Sequence, residues 1–247
     1  MAWTMRIFGA NSSEYHSVLP DTLVWADKFD CLKSYETNYL REPAFYLYPV
    51  VGITQQQARG YSKWRADRVF EKLLIEFRII KYDAAQASKT YFTIEKYFNG
   101  TYHNTRPDKR IKYFPDYRLP TLNERNQIVQ YADTVDSMYF DTCTSKYCAD
   151  YKDRFPVFLS GVVTCVDDST RAKPPIDAHY SYTTVNGGSI FNFRGNVGEW
   201  AFENGVTLGG SWVDSRETVL QLDTFHINKQ NCWTGFRNVC QWKLWKE

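Results

Sequence analysis

The chain has 247 residues, and its 30 basic and 28 acidic side chains leave a net charge of +2. A balance this close gives no electrostatic footprint for general polyanion or nucleic-acid binding, and the local run Arg106, Lys109, Arg110, Lys112 reads as a solvated loop. No stretch approaches the roughly 18 consecutive apolar residues of a membrane-spanning helix, and MAWTMRIFGANSS lacks the charged start and apolar core of a signal peptide.

No Gly/Ser/Pro-rich or charged stretch marks a linker, so a single domain over residues 1–247 is expected. Aromatics make up 17% of the residues, with 18 Tyr and 8 Trp, which suits an irregular backbone pinned by large amphipathic rings. Six cysteines (Cys31, Cys143, Cys148, Cys165, Cys232, Cys240) allow 15 pairings if all are oxidised, yet no C-x-x-C or Cys/His ladder suggests zinc. Cys143 with Cys148, and Cys232 with Cys240, are close enough in sequence to pair. Buried free thiols are the simpler expectation.

In chain order, the first clear element is a helix. Thr54 followed by Gln57 reads as a capping box, and a helix from about Thr54 into the 70s places Ala58, Tyr61, Trp64, Val69 and Leu73 on one face. Lys81 to Tyr117 is polar and Tyr-rich and reads as an excursion between helices. A second capping box, Thr121 with Glu124, opens a short helix with Leu122, Ile128, Val129 and Ala132 inward, stopping before Asp133. Beyond it, short apolar runs broken by Gly, Asn, Pro and Asp, such as FPVFLSGVVTCVDD and GVTLGGSW, predict short strands and long ordered loops.

Five short motifs then stand out. They are PVVGITQQQARGYSKW (Pro49 to Trp64), YRLPTLNERNQ (Tyr117 to Gln127), GNVGEW (Gly195 to Trp200), LGGSW (Leu208 to Trp212) and GFR (Gly235 to Arg237). In this order and spacing the chain resembles the formylglycine-generating enzyme and sulfatase-modifying-factor superfamily, over nearly all of Leu19 to Val239. Four further segments, LPDTLVW (Leu19 to Trp25), EPAFYLYPVVGI (Glu42 to Ile53), KWRADRVFEKLLI (Lys63 to Ile75) and FTIEKYFNGTY (Phe92 to Tyr102), are similar to the branch of gliding-motility and type IX secretion lipoproteins.

The resemblance implies an α+β, C-type-lectin-like fold with a small twisted antiparallel sheet, two helices and long irregular loops. It also implies a structural role with a protein partner or oligomer in a periplasmic, outer-membrane-associated assembly. A native start at Met1 would instead imply a cytoplasmic protein.

In that superfamily a pair of cysteines after the GGS turn oxidises a sulfatase cysteine to formylglycine. Here those positions hold Asp214 and Val219, and no cysteine occurs from Val213 to Gln230. Neither a carboxylate nor an isopropyl group can replace a thiolate nucleophile or copper ligand, so no such activity and no copper are expected. His16, His103, His179 and His226 lie far apart and give no iron-ligand pattern, so no iron is expected either. The metal that the resemblance does imply is calcium, held by Asn192, Gly195, Val197 and Glu199 in the NFRGNVGEW loop through oxygen alone. The alternative is a metal-free loop in which Glu199 caps backbone amides. Arg237 reads as a buried guanidinium bound to carbonyls or to a carboxylate, and Trp212 as inward-packing.

With the thiols absent, the groove after GGSW is expected to be partly filled by Asp214 to Leu222. The binding surface then falls to the Tyr-rich excursion, with Tyr91, Phe92, Tyr97, Phe98 and Tyr102 as interface residues. The competing account is that these rings pack the excursion onto the domain. Two rival functions remain: a metal-dependent oxidase or hydroxylase on the same fold, and a lectin-like ligand-binding module.

Overall fold

Short helices open the chain in the computed structural model, which describes residues 1–26, 32–142, 181–183, 189–191, 194–214, 218–219 and 224–246. Helix α1 spans Ala2–Phe8, and α2 spans Ser13–Ser17 behind Ser12, whose hydroxyl accepts from the Tyr15 amide. Two 3-10 turns, Thr22–Trp25 and Pro43–Phe45, flank α3 (Tyr35–Asn38). The long helix α4 runs Gln55–Glu76, close to the span read from the sequence. α5 (Ile94–Phe98) starts at Thr93, whose side chain accepts from the Lys96 amide. Strand β1 (Tyr113–Arg118) leads into α6 (Leu122–Thr142). Among the described residues seven short strands follow: β2 (Ser181–Thr183), β3 (Ser189–Phe191), β4 (Gly198–Trp200), β5 (Val206–Leu208), β6 (Phe225–His226), β7 (Thr234–Phe236) and β8 (Val239–Leu244). The class is α+β with small sheets.

α6 begins as its capping box requires, since Glu124 accepts from the Thr121 amide at 2.9 Å and Thr121 Oγ1 accepts from the Glu124 amide at 3.2 Å. It does not stop before Asp133. No Gly or Pro occurs from Leu122 to Phe155, and Asp and Thr inside a helix cost only tenths of a kcal/mol each, too little to end it.

α4 buries a different face from the one expected. Ala58, Ser62, Ala66, Phe70 and Leu74, each four residues on from the last, are interior together with Asp67 and Glu71, while Tyr61 is exposed. The polar members are interior because they are satisfied. Ser62 donates to the Ala58 carbonyl and to Asn238, Asp67 accepts from the Ile94 amide at 2.8 Å, and Glu71 accepts from Gln86 and pairs with Arg68.

The chain's contacts group into two compact units: residues 1–19, 56–119 and 238–247 in the first, 20–55 and 120–237 in the second. The first has a core of Ala66, Phe70, Leu74, Phe92, Ile94 and Tyr97, against which Phe98, Phe114 and Trp245 pack. β1 and β8 close it as an antiparallel pair, in register from Tyr113 opposite Leu244 to Arg118 opposite Val239. The second unit packs Val24, Trp25, Tyr39, Val51, Trp212 and Cys232 together, and its sheet runs in the order β6-β5-β4-β7. Within that sheet β4 and β7 are parallel and the other neighbours antiparallel.

Candidate functional site

GNVGEW, LGGSW and GFR come together in the second unit, with Pro49–Gln55 of the first motif and Pro120–Gln127 of the second. GNVGEW ends as β4, and GFR supplies β7 beside it, with Glu199 opposite Gly235. LGGSW starts at the end of β5 on the other side of β4, with Leu208 opposite Glu199. The turns interlock through the backbone: the Gly195 amide donates to Gly209 at 2.7 Å, and the Trp212 amide donates to Asn196 at 2.9 Å. The PVVGITQ segment clamps the β4–β5 hairpin, because Gln55 donates to the Ala201 and Glu203 carbonyls, each at 2.7 Å, and accepts from the Gly205 amide. Ile53 also accepts from Trp200 Nε1 at 3.1 Å. From the RLPT segment, Pro120 accepts from the Phe202 amide, and the Leu122 amide donates to the Glu203 carboxylate.

At the centre, Glu199 accepts three hydrogen bonds from Arg237: from Nε at 3.1 and 3.0 Å, one to each carboxylate oxygen, and from Nη2 at 2.7 Å. Burial draws the Arg237 pKa down, but the charge and hydrogen bonds of Glu199 outweigh it and the pKa rises. Arg125 is buried nearby. Desolvation pulls its pKa to about 10, with Glu199 opposing that fall and Arg237 and Arg194 adding to it. The sequence offered one of these residues, Arg237 in GFR. Arg194, also buried, gave no signal on its own.

This arrangement bears on the calcium expectation. Asn192 lies outside the described residues. Gly195, Val197 and Glu199 are present on the loop and strand, with Gly195 and Asn196 both at positive φ. Calcium takes about six to eight oxygen ligands and gains most from anionic ones, whereas the one carboxylate here is already neutralised by Arg237, with Arg125 and Arg194 close. Glu199, the one carboxylate of that set, is thus engaged in an internal ion pair. Among the described residues no three His, Cys, Asp or Glu side chains cluster at metal-binding distance.

The two positions where the resemblance would put thiols have structural tasks. Asp214 folds back on the GGS turn, accepting from the Ser211 amide at 2.7 Å and from Ser211 Oγ at 2.6 Å. Val219 is 1% exposed and sits over Gly210, where a Cβ would lie 2.6 Å from Val219 Cγ2. Of the segment expected to fill the groove, Asp214, Thr218 and Val219 are described. Cys232 is buried and Cys240 is exposed; the other four cysteines lie outside the described residues.

The interface residues need correction. Phe92, Tyr97 and Tyr102 are interior to the first unit at 0%, 0% and 3% exposure. They pack on Phe70 and on each other, with Phe92 and Tyr102 edge to face at 5.0 Å. Phe98 is half-buried, stacked on Trp245 at 4.8 Å, and Tyr91 is half-buried with the Lys96 ammonium over its ring. Sequence reasoning placed these rings on a surface because the polar residues around them hid the fact that α4 supplies a core for them.

Comparison with family models, with curated proteins and with solved structures finds no match to this chain.

Proposed function

We propose that the chain is a non-catalytic member of the formylglycine-generating-enzyme superfamily, with its C-type-lectin-like fold, acting as a structural or interaction protein linked to a type IX secretion or gliding-type assembly. The observation that carries the reading is the use of Asp214 and Val219. One holds the GGS turn and the other fills the space above it. Interlocking of the five motifs supports the family reading, because their order in the chain has a structural reason. Incubation with a sulfatase-motif peptide and copper, followed by mass spectrometry, tests it: no conversion of cysteine to formylglycine above the enzyme-free control is expected, and conversion would overturn it.

An interaction role is supported by apolar side chains that the first unit leaves in solvent. Phe77, Tyr113 and Trp242, at 70%, 53% and 64% exposure, line a groove of about 450 Å³ with Phe70, Leu73 and Ile79. Grouped large rings of this kind mark protein-contact surfaces more often than isolated ones do. A pull-down from the native source with the wild type and with Phe77→Ser/Trp242→Glu checks the reading. A defined partner lost with the double variant supports it, and an identical set of captured proteins counts against this surface.

A further inference from the structure

The first unit also holds a cleft of about 520 Å³, within the size range of small-ligand sites. One wall is a stripe of α4, where Gly60, Lys63, Trp64 and Asp67 recur at helical spacing. The others come from Trp3 of α1 and from the segment carrying Tyr91, Glu95 and Lys96.

Its aromatic walls are held in place before any ligand arrives. Trp3 meets Tyr91 edge to face at 5.4 Å and Trp64 at 6.1 Å. The Arg68 guanidinium lies 4.9 Å above the Trp3 ring, and the Lys96 ammonium 4.1 Å above that of Tyr91. Lys96 is tied down further by the Tyr91 carbonyl at 2.8 Å. Rigid rings lose little entropy when something binds against them.

The polar lining is mixed and balanced. Arg68 is matched by Glu71, which leaves Lys63 and Lys96 against Asp67 and Glu95. Asp67 is buried, and desolvation raises its pKa although the Ile94 amide, Arg68 and Lys63 favour its charged form. Trp3 Nε1, Trp64 Nε1 and Arg68 Nε are buried donors with no acceptor among the described residues. A lining that alternates aromatic rings with donors and acceptors suits a ligand rich in hydroxyls. A nucleotide or acidic glycan would bring anionic groups against Asp67 and Glu95, and a cationic ligand would meet Lys63 and Lys96. A purely apolar ligand would strand the polar groups.

The cleft is open at Gly60, which lies inside the 22-residue helix α4, where glycine is less favourable than alanine, and a Cβ built there meets nothing within 4 Å. No packing or backbone constraint demands a glycine at that point, and its missing side chain adds to the volume of the cleft.

The geometry points to a binding site for a neutral carbohydrate, with the C–H face of a pyranose ring against Trp64, with Trp3 and Tyr91 walling its edges, and its hydroxyls exchanging hydrogen bonds with Asp67, Lys63, Glu95 and Lys96. This inference rests on the first unit alone and is independent of the family reading above.

The test uses the full chain and four neutral trisaccharides: maltotriose, cellotriose, chitotriose and mannotriose. Binding is followed by tryptophan fluorescence and by saturation-transfer NMR. At least one should bind with a Kd below about 10 mM. Gly60→Phe, which projects a ring into open space, should weaken binding at least roughly tenfold, and so should Trp64→Ala. Gly60→Ala should bind nearly as wild type. Lys63→Ala, at an exposed side chain, should weaken binding several-fold without altering the circular dichroism spectrum, and so guards against misfolding of the Trp64 variant. The proposal is overturned if no trisaccharide binds at that concentration, if binding is indifferent to Gly60→Phe and Lys63→Ala, or if only a uronate-containing or phosphorylated sugar binds.

Discussion

Arg237 and Glu199 form a two-pronged ion pair across adjacent parallel strands, with both carboxylate oxygens engaged and the Glu199 side chain 7% exposed. Removing one partner of a buried pair strands the other, which typically costs about 3–5 kcal/mol. Glu199→Ala should therefore destabilise the protein by about that amount in urea titrations, and Glu199→Leu combined with Arg237→Met should recover most of the loss. Additive single effects would show that the pair is not coupled.

The same pair sets an expectation for divalent ions. Since Glu199 is neutralised internally, neither chelator nor millimolar calcium should move the melting temperature, because only a ligand that binds the folded state shifts it. A calcium-dependent rise that disappears in Glu199→Ala would reinstate a cation at the GNVGEW loop.

Gly210 and Val219 should prove coupled. Gly210 has φ +62° and no room for a Cβ against Val219, so Gly210→Ala should cost more than about 1 kcal/mol. Adding Val219→Ala should give back part of that cost by making space, while the positive φ keeps the rescue incomplete. A double-mutant cycle by chemical denaturation measures the interaction energy.

Gly60→Ala should raise stability by about 0.5–1 kcal/mol, through helix propensity and a less flexible unfolded chain. Thermal and urea unfolding check this. An unchanged or lower stability would mean that α4 uses the glycine for something other than an open cleft wall.

Asp67 gives the protein a pH dependence of known sign. Its folded pKa is raised by burial above the ordinary carboxylate value of 3.8. Its contribution is therefore fully favourable below that value and is lost as pH rises through the folded pKa. Asp67→Asn, which can still accept from the Ile94 amide, should flatten this part of the profile. Urea titrations of both proteins from acid to neutral pH should show the wild type losing stability relative to the variant.

What could be read from the sequence was what is local. The Thr121–Glu124 capping box was legible because both partners lie within one turn of helix, and the span of α4 because its capping signals and helix formers are contiguous. The inward face of α4 was not legible. Asp67 and Glu71 count as surface residues in any pattern, and only the distant Ile94 amide and Gln86 make their burial tolerable. The fate of Phe92, Tyr97 and Tyr102 followed from the same blind spot. GFR and GNVGEW were recognisable as motifs, yet nothing in their spacing stated that Arg237 would take hold of Glu199. Trp3 and Tyr91, 88 positions apart, gave no hint of a shared cleft.

The pairing of β1 with β8 has a consequence for synthesis. β1 leaves the ribosome some 120 residues ahead of its partner, a delay of about 6–25 s at ordinary elongation rates. During that time Tyr113–Arg118 is a nascent strand with nothing to pair with, and strands in that state recruit neighbouring chains. Its sequence, YFPDYR, is poorly suited to such recruitment. Pro115 cannot donate to a foreign ladder, and Asp116 and Arg118 place charge beside it. In the finished protein Pro115 lies opposite Trp242 of β8. Because the Trp245 amide donates to the Lys112 carbonyl, alternation along the ladder puts Pro115 at a non-hydrogen-bonded pair, so a residue that guards the nascent strand costs the mature sheet no bond to β8.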